Sequence, residues 1–271
     1  MTTSTFLAEL DTVVPASAGM AGDPIGLQVG NGDREITNIA VAYEIDERTV
    51  AEAARLSADI IVAYHPLIYS PLKRLIGAGR VDRSVQELIR RGVDLYVLHT
   101  ALDAHPNGST ARLAESLGLR EISTLDRHDE SGENAFGIGR IGTLPEPMSI
   151  VRFVERVGQV CRSRSVRYSL ETSGSGDRAV QRIAMVAGSG MSLYPLAVEA
   201  GADLFLTGDA KYHDFHAAND AIPIVDAGHA ETERFVVESI VTLVEATLLR
   251  LGGGVALHTI APSAGPIGYA A

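Results

Sequence analysis

VDLYVLHTALDAHPNGSTARLAESLG, residues 93–118, decides the fold. Its first third is a run of β-branched, aromatic and Leu residues, the composition of a buried strand. Next comes LDAHPNG, rich in turn formers. STARLAESLG then has helical spacing and closes on Gly118, a residue that enters the left-handed conformation at no steric cost. Strand, turn and helix within so short a stretch is the repeating unit of an α/β domain.

The same rhythm extends in both directions. Upstream, ITNIAVAYEI reads as a strand, RTVAEAARLSA as a helix, DIIVA as a short buried strand and SVQELIRRG as a helix ending at Gly92. Near the start, Phe6, Leu7, Leu10, Val13 and Val14 fall at helical spacing behind Ser and Thr caps. Downstream, residues 121–134 (EISTLDRHDESGEN) are polar and irregular, and a domain boundary is expected there. AFGIGRIGTL then reads as a strand, SIVRFVERVGQV as a helix, and SVRYSL and RIAMVAG as strands around the Gly/Ser-rich loop ETSGSGD. YPLAVEAG, DLFLTGD, HDFHAANDA and IPIVDAG restore the strand–helix alternation. One long helix, TERFVVESIVTLVEATLLRLGG, and a last strand, VALHTI, complete the chain. The expected fold is α/β: two interlinked domains with helices packed on mixed, mostly parallel sheets. The first takes residues 1–125 plus about 232–271, the second about 126–231.

Composition narrows function. Asp plus Glu is 34 against 23 for Lys plus Arg, so the net charge is −11, and the electrostatic footprint of a general nucleic-acid binder is missing. The same acidity gives no reason to adhere to an anionic membrane, and no apolar run is long enough to span one. The single cysteine, Cys161, allows no intrachain disulfide, which fits a reducing cytoplasmic location. Arg162 and Arg164 flank it, but it lacks a nucleophile's local pattern; the arginines from Arg152 to Arg167 read as a solvated helix face.

The chemistry concentrates just past strand ends, where α/β proteins bind ligands. His65 follows DIIVA, Asp103 follows VDLYVLH, and His229 and Glu233 follow IPIVDAG in HAETE. Each also has an ordinary structural reading. His65 before Pro66 can be held by backbone carbonyls, Asp103 can shape its loop, and Glu233 near a helix start is favoured by the dipole. Together they form a mixed N/O donor set without thiolate, which suits Zn, Fe, Mn, Co or Ni. His99, His105, His213, Asp214 and His216 lie in or beside the same segments. GIGRIG (137–142) matches the dinucleotide glycine pattern but sits within a strand, so it is rejected. AGSGM (187–191) follows a strand and reads either as a phosphate cradle or as a tight turn.

Read together, DPIGLQVG (23–30), ADIIVAYHPLIY (58–69), LHTALDAHPNG (98–108), GIGRIGTLPEPMS (137–149), GADLFLTGDAKYHD (201–214) and DAGHAETE (226–233) resemble the Ngg-one-interacting-factor-three-like family, whose members are also called GTP cyclohydrolase 1 type 2 homologues. The resemblance runs through nearly the whole chain. It implies a ring-like homohexamer and one or two divalent transition-metal ions per chain in a cleft between the domains. It places metal ligands on His65, Asp103, His229 and Glu233. The family usually has two adjacent histidines before the proline; here the first is Tyr64, a poor ligand for Zn²⁺ or Mn²⁺ at neutral pH because a phenol ionises near 10. The resemblance therefore implies one well-held ion and a second that is weak, absent or rescued by a histidine such as His99 or His213. Two other departures are Ala101, where the family has Asn, and the missing aromatic before DPIGLQVG. The activity implied is metal-dependent hydrolysis of a small nucleotide-like or phosphorylated substrate, with His213 or Asp214 orienting ligands or carrying a proton. The rival implication is a non-enzymatic metal-binding regulatory or scaffold protein.

Overall fold

A computed structural model describes residues 1–127, 136–169, 178–218, 221–262 and 265–268. The chain begins with α1 (Thr3–Val13), β1 (Gly26–Val29), β2 (Asn38–Ala42), α2 (Glu47–Arg55), β3 (Ile60–Ala63), α3 (Arg80–Arg91), β4 (Asp94–Val97) and α4 (His99–Ala104). It continues through α5 (Ser109–Ser116), β5 (Arg120–Arg127), β6 (Gly137–Ser149), α6 (Ile150–Cys161), β7 (Arg167–Tyr168), β8 (Ala179–Ser189) and α7 (Tyr194–Glu199). It closes with β9 (Leu204–Gly208), α8 (Tyr212–Ala217), β10 (Ile224–Asp226), α9 (His229–Thr232), α10 (Val236–Arg250) and β11 (Ala256–Thr259). Two compact units result: 1–102 with 236–268, and 103–235.

The first unit is a five-stranded sheet in the order β1-β4-β3-β2-β11. Only the β1/β4 pairing is antiparallel; the other three are parallel. Side chains alternate between its faces with period two. Ile39, Val41, Ile60, Val62 and Tyr64 join one core cluster, and Ala40, Ala42, Ile61 and Ala63 join another. The first cluster is roofed by α1 (Phe6, Leu10) and α10 (Val236, Ile240, Val244), the second by α2 (Val50, Ala53) and α3 (Val85, Leu88). Each fully buried Leu, Ile, Val or Phe contributes roughly 1.5–3 kcal/mol, so covering both faces is what makes continuous apolar strands stable here. Polar caps fix the helix starts: the side chains of Thr2 and Asp46 accept from Thr5 N and Thr49 N. At the other end of α3, Gly92 takes φ 65°, the left-handed cap that its sequence position predicts.

The second unit holds a six-stranded sheet in the order β5-β6-β8-β9-β10-β7. β8/β9 and β9/β10 are parallel, while β5/β6, β6/β8 and β10/β7 are antiparallel. One face packs Ile183, Met185, Leu204 and Leu206 against Leu113 of α5, Leu117 just after it, and Phe153 and Val157 of α6. Ser149 caps α6 by accepting from Arg152 N.

Three sequence expectations change. Residues 121–127 are not irregular: they belong to β5, which lies at the edge of the sheet and is largely exposed, so it lacks the hydrophobic alternation that marks a strand. The rest of that expected boundary segment and the loop ETSGSGD lie outside the described residues. By contacts the units part at 102/103, because α5 packs on the second unit's sheet. The long helix after IPIVDAG is two helices, with 233–235 as a turn. Thr232 Oγ1 donates to Gly228 O and accepts from Gly188 N, both at 2.9 Å, which ties α9 to β8 and ends it early.

Candidate functional site

In the first unit the parallel ladder runs past its strand ends: Tyr64 N–H donates to Ala42 O, His65 N–H to Tyr43 O, and His99 N–H to Tyr64 O. Tyr64, His65 and His99 are therefore placed by backbone pairing. Their rings gather, with centroids 4.7 Å apart for Tyr64–His65, 5.6 Å for Tyr64–His99 and 5.8 Å for His65–His99. Each imidazole has a carboxylate behind it. Glu44 Oε2 lies 3.4 Å from His65 Nδ1, and both Asp23 oxygens reach His99 Nδ1, at 2.7 and 2.8 Å. Burial pushes both carboxyls up. For Glu44 the pull of His65 and Arg80 outweighs it, and for Asp23 that of His99 and Thr100, so both are held below the usual carboxylate range.

In the second unit, His229 starts α9 immediately after β10 and stands between two carboxylates. Asp209, past the end of β9, takes the Nδ1 side at 2.8 Å, and Glu233 lies 3.1 Å from Nε2. Asp209 adopts φ 55°, a left-handed conformation that Asp tolerates better than most residues. The Glu233 contact, opposed by burial and helped by Asp209, raises the imidazole to about 9. Glu233 is buried, and it fits because residue 188 is glycine. A Cβ there would overlap Glu233 Oε1 and lie 3.1 Å from Cδ. Gly188 also has φ +70°, so position 188 needs glycine twice over. AGSG thus serves as a socket for a carboxylate.

Asp103 is buried, and its Oδ1 accepts from Ser109 Oγ at 3.0 Å. Beside it the largest fully buried side chain is Arg140, from the middle of GIGRIG. Its guanidinium donates to Gly137 O and Gly139 O at 2.8 Å and to His105 O at 2.6 Å. Burial lowers it to about 10 while the Asp103 charge pulls the other way; burial, helped by Arg140, drops His105 to about 4.

The remaining candidates find structural partners. Asp214 Oδ2 accepts from Lys211 N at 2.7 Å, which satisfies a backbone donor at the start of α8. His213 is exposed, with its ring against those of Tyr212 and His216. Cys161 is buried, and burial pushes its thiol up to about 12, so it is no nucleophile at neutral pH. The arginine run is not one solvated face: Arg156 donates to Leu117 O at 3.3 Å, and Arg167 on β7 pairs with buried Asp226. Glu44 and Arg140 carried no sequence signal of their own; the one signal for Asp209 was its place in TGD at a strand end.

Imidazoles backed by carboxylates and set past parallel strand ends define an α/β protein equipped with metal-ligand side chains. A family model described as Duf34/NIF3 (NGG1p interacting factor 3) matches residues 1–264, and the chain belongs to this family. It is 35% identical over 239 residues to a Lactococcus lactis protein named GTP cyclohydrolase 1 type 2 homolog, covering 87% of this chain and 89% of that one. A Streptococcus pneumoniae protein of the same name is 33% identical over 230 residues, covering 84% and 85%. The crystal structure of a Bacillus cereus protein related to NIF3 has the same fold, with TM-score 0.90 at 21% identity over 100% of this chain and 99% of its own. Among the described residues no helix is long and apolar enough to cross a membrane.

Proposed function

We propose that this chain is a metal-dependent hydrolase of a small nucleotide-like or phosphorylated substrate. The observation that carries it is His229, whose Nε2 lies 3.1 Å from Glu233 Oε2 while Asp209 holds Nδ1. That N···O gap suits two ligand atoms each about 2.0–2.2 Å from one ion. A carboxylate on the far ring nitrogen is the usual support of a metal-bound histidine. His65, Asp103, His229 and Glu233 are the ligands in this proposal; Zn, Fe, Mn, Co and Ni all suit such donors, as one or two ions per chain.

A bound divalent ion would supply a water acidified enough to act as nucleophile near neutral pH. The chain's own groups do the rest. Asp209 fixes the His229 ring, Ser109 fixes Asp103, and Arg140 anchors the turn that carries Asp103. The names of the Lactococcus and Streptococcus relatives support a nucleotide substrate. A homohexamer in the cytoplasm is part of the same proposal, and light scattering on the purified protein tests the assembly.

The rival is a metal-binding regulatory or scaffold protein, favoured by Tyr64 in place of a family histidine. Turnover on a panel of nucleotides and phosphoesters separates the two. Metal-loaded protein should turn over at least one member, and Asp103→Ala should lose that activity with its fold intact. Equal activity in both, or none in either, removes the hydrolase reading.

A further inference from the structure

Asp23 and His99 form a heavily constrained polar pair in the first unit. Asp23 accepts from His99 Nδ1, from the Thr100 hydroxyl and from Thr100 N at 3.2 Å, and its side chain is only 6% exposed. Thr100 Oγ1 in turn accepts from Met20 N at 2.9 Å, so the loop before β1 is stitched to the residue after His99. His99 itself sits at φ +36°, where a non-glycine residue costs on the order of 1–3 kcal/mol. A strained backbone, two carboxylate oxygens on one ring nitrogen and a loop tied to Thr100 all serve to aim one imidazole. Orientation of that kind is what a ligating histidine requires.

The placement fits. Besides His65, His99 also adjoins Tyr64, the position where this chain lacks the family's histidine, with centroids 5.6 Å apart. It is also 5.8 Å from His65. With a metal–nitrogen bond of about 2.1 Å, two imidazoles on one tetrahedral ion have centroids roughly 5.3 Å apart. The observed separation is within a small side-chain rotation of that value.

We propose that His99, oriented by Asp23, is a metal ligand in this chain and supplies beside His65 the imidazole that Tyr64 removes. With Nδ1 committed to Asp23, the ligating atom is Nε2. The inference rests on the metal-binding reading of His65.

The test is metal content and affinity, measured by Co²⁺ titration with the visible absorption of the bound ion as readout, and by zinc per chain after dialysis. The intact protein should hold two ions. His99→Gln should hold one, and Asp23→Asn should still saturate with two but bind the second about 10–100-fold more weakly. Tyr64→His added to His99→Gln should restore the second ion, which a merely structural loss would not allow. Two ions bound with unchanged affinity in His99→Gln would overturn the role of His99 while leaving the metal reading intact. A single ion in the intact protein, retained in His99→Gln, would do the same. If His65→Ala and Glu233→Gln also leave all binding unchanged, or the intact protein binds none, the metal reading itself fails. Should His99→Gln misfold by circular dichroism, Asp23→Asn decides: unchanged affinity for both ions overturns the proposal.

Discussion

Gly188→Ala tests how the Glu233 carboxylate is seated. At φ +70° an alanine is strained by roughly 1–2 kcal/mol. Its Cβ would also overlap Glu233 Oε1 and press on Cδ at 3.1 Å, so the carboxylate must swing away from His229. Losing a charge-assisted hydrogen bond costs about 1.5–3 kcal/mol, and the lower end applies because the His229 side chain is 32% exposed. The sum is about 3 kcal/mol, or a fall in Tm of about 6–12 °C at 2–4 °C per kcal/mol for a chain of this size. The assay is a double-mutant cycle in thermal or urea unfolding with Glu233→Ala. Once Glu233 is truncated the overlap vanishes, and Gly188→Ala should then cost only its backbone strain. The two substitutions should therefore fall short of additivity by about 1.5–2 kcal/mol. Additivity within about 0.5 kcal/mol would refute the socket.

Arg140→Met should destabilise the protein by more than about 3 kcal/mol in urea, because three buried carbonyls lose their donor and Asp103 loses its counter-charge; a cost under 1 kcal/mol would refute this, and Arg140→Lys should fall between. In the metal-free protein His229 is raised to about 9, above its unfolded value, so the stability it adds is complete below about pH 6.5 and disappears as pH rises through 9. A metal must displace that proton, so Zn²⁺ affinity should climb by roughly tenfold per pH unit between 7 and 9 and then level off; a flat profile would refute the shared proton.

The strand–helix order was legible because buried parallel strands are continuous apolar runs and because Gly92 and Gly118 mark helix ends. β5 was not, since an exposed edge strand carries no apolar stripe. The break at Glu233 was hidden by the unbroken helical periodicity of TERFVVESIV; it is set by Thr232 bonding to Gly188, a residue distant in sequence. The same limit applies to the site. His65, Asp103, His229 and Glu233 stand out by type and position, but Glu44 and Asp209 are ordinary carboxylates until folding sets them behind imidazoles. Arg140 gave the opposite sign: an arginine in a strand suggests solvent, and it is buried because three carbonyls surround it.

The first unit is discontinuous, and that orders its synthesis. A nascent chain that has reached residue 102 has β2, β3 and β4 but neither α10, which roofs one face of their sheet, nor β11, which pairs with β2. The second unit is continuous from 103 to 235 and can complete its core while the first still waits. During that interval the edge of β2 that β11 later takes is open, and the face of Ile39, Val41, Ile60 and Val62 is covered by α1 alone, a combination that favours aggregation.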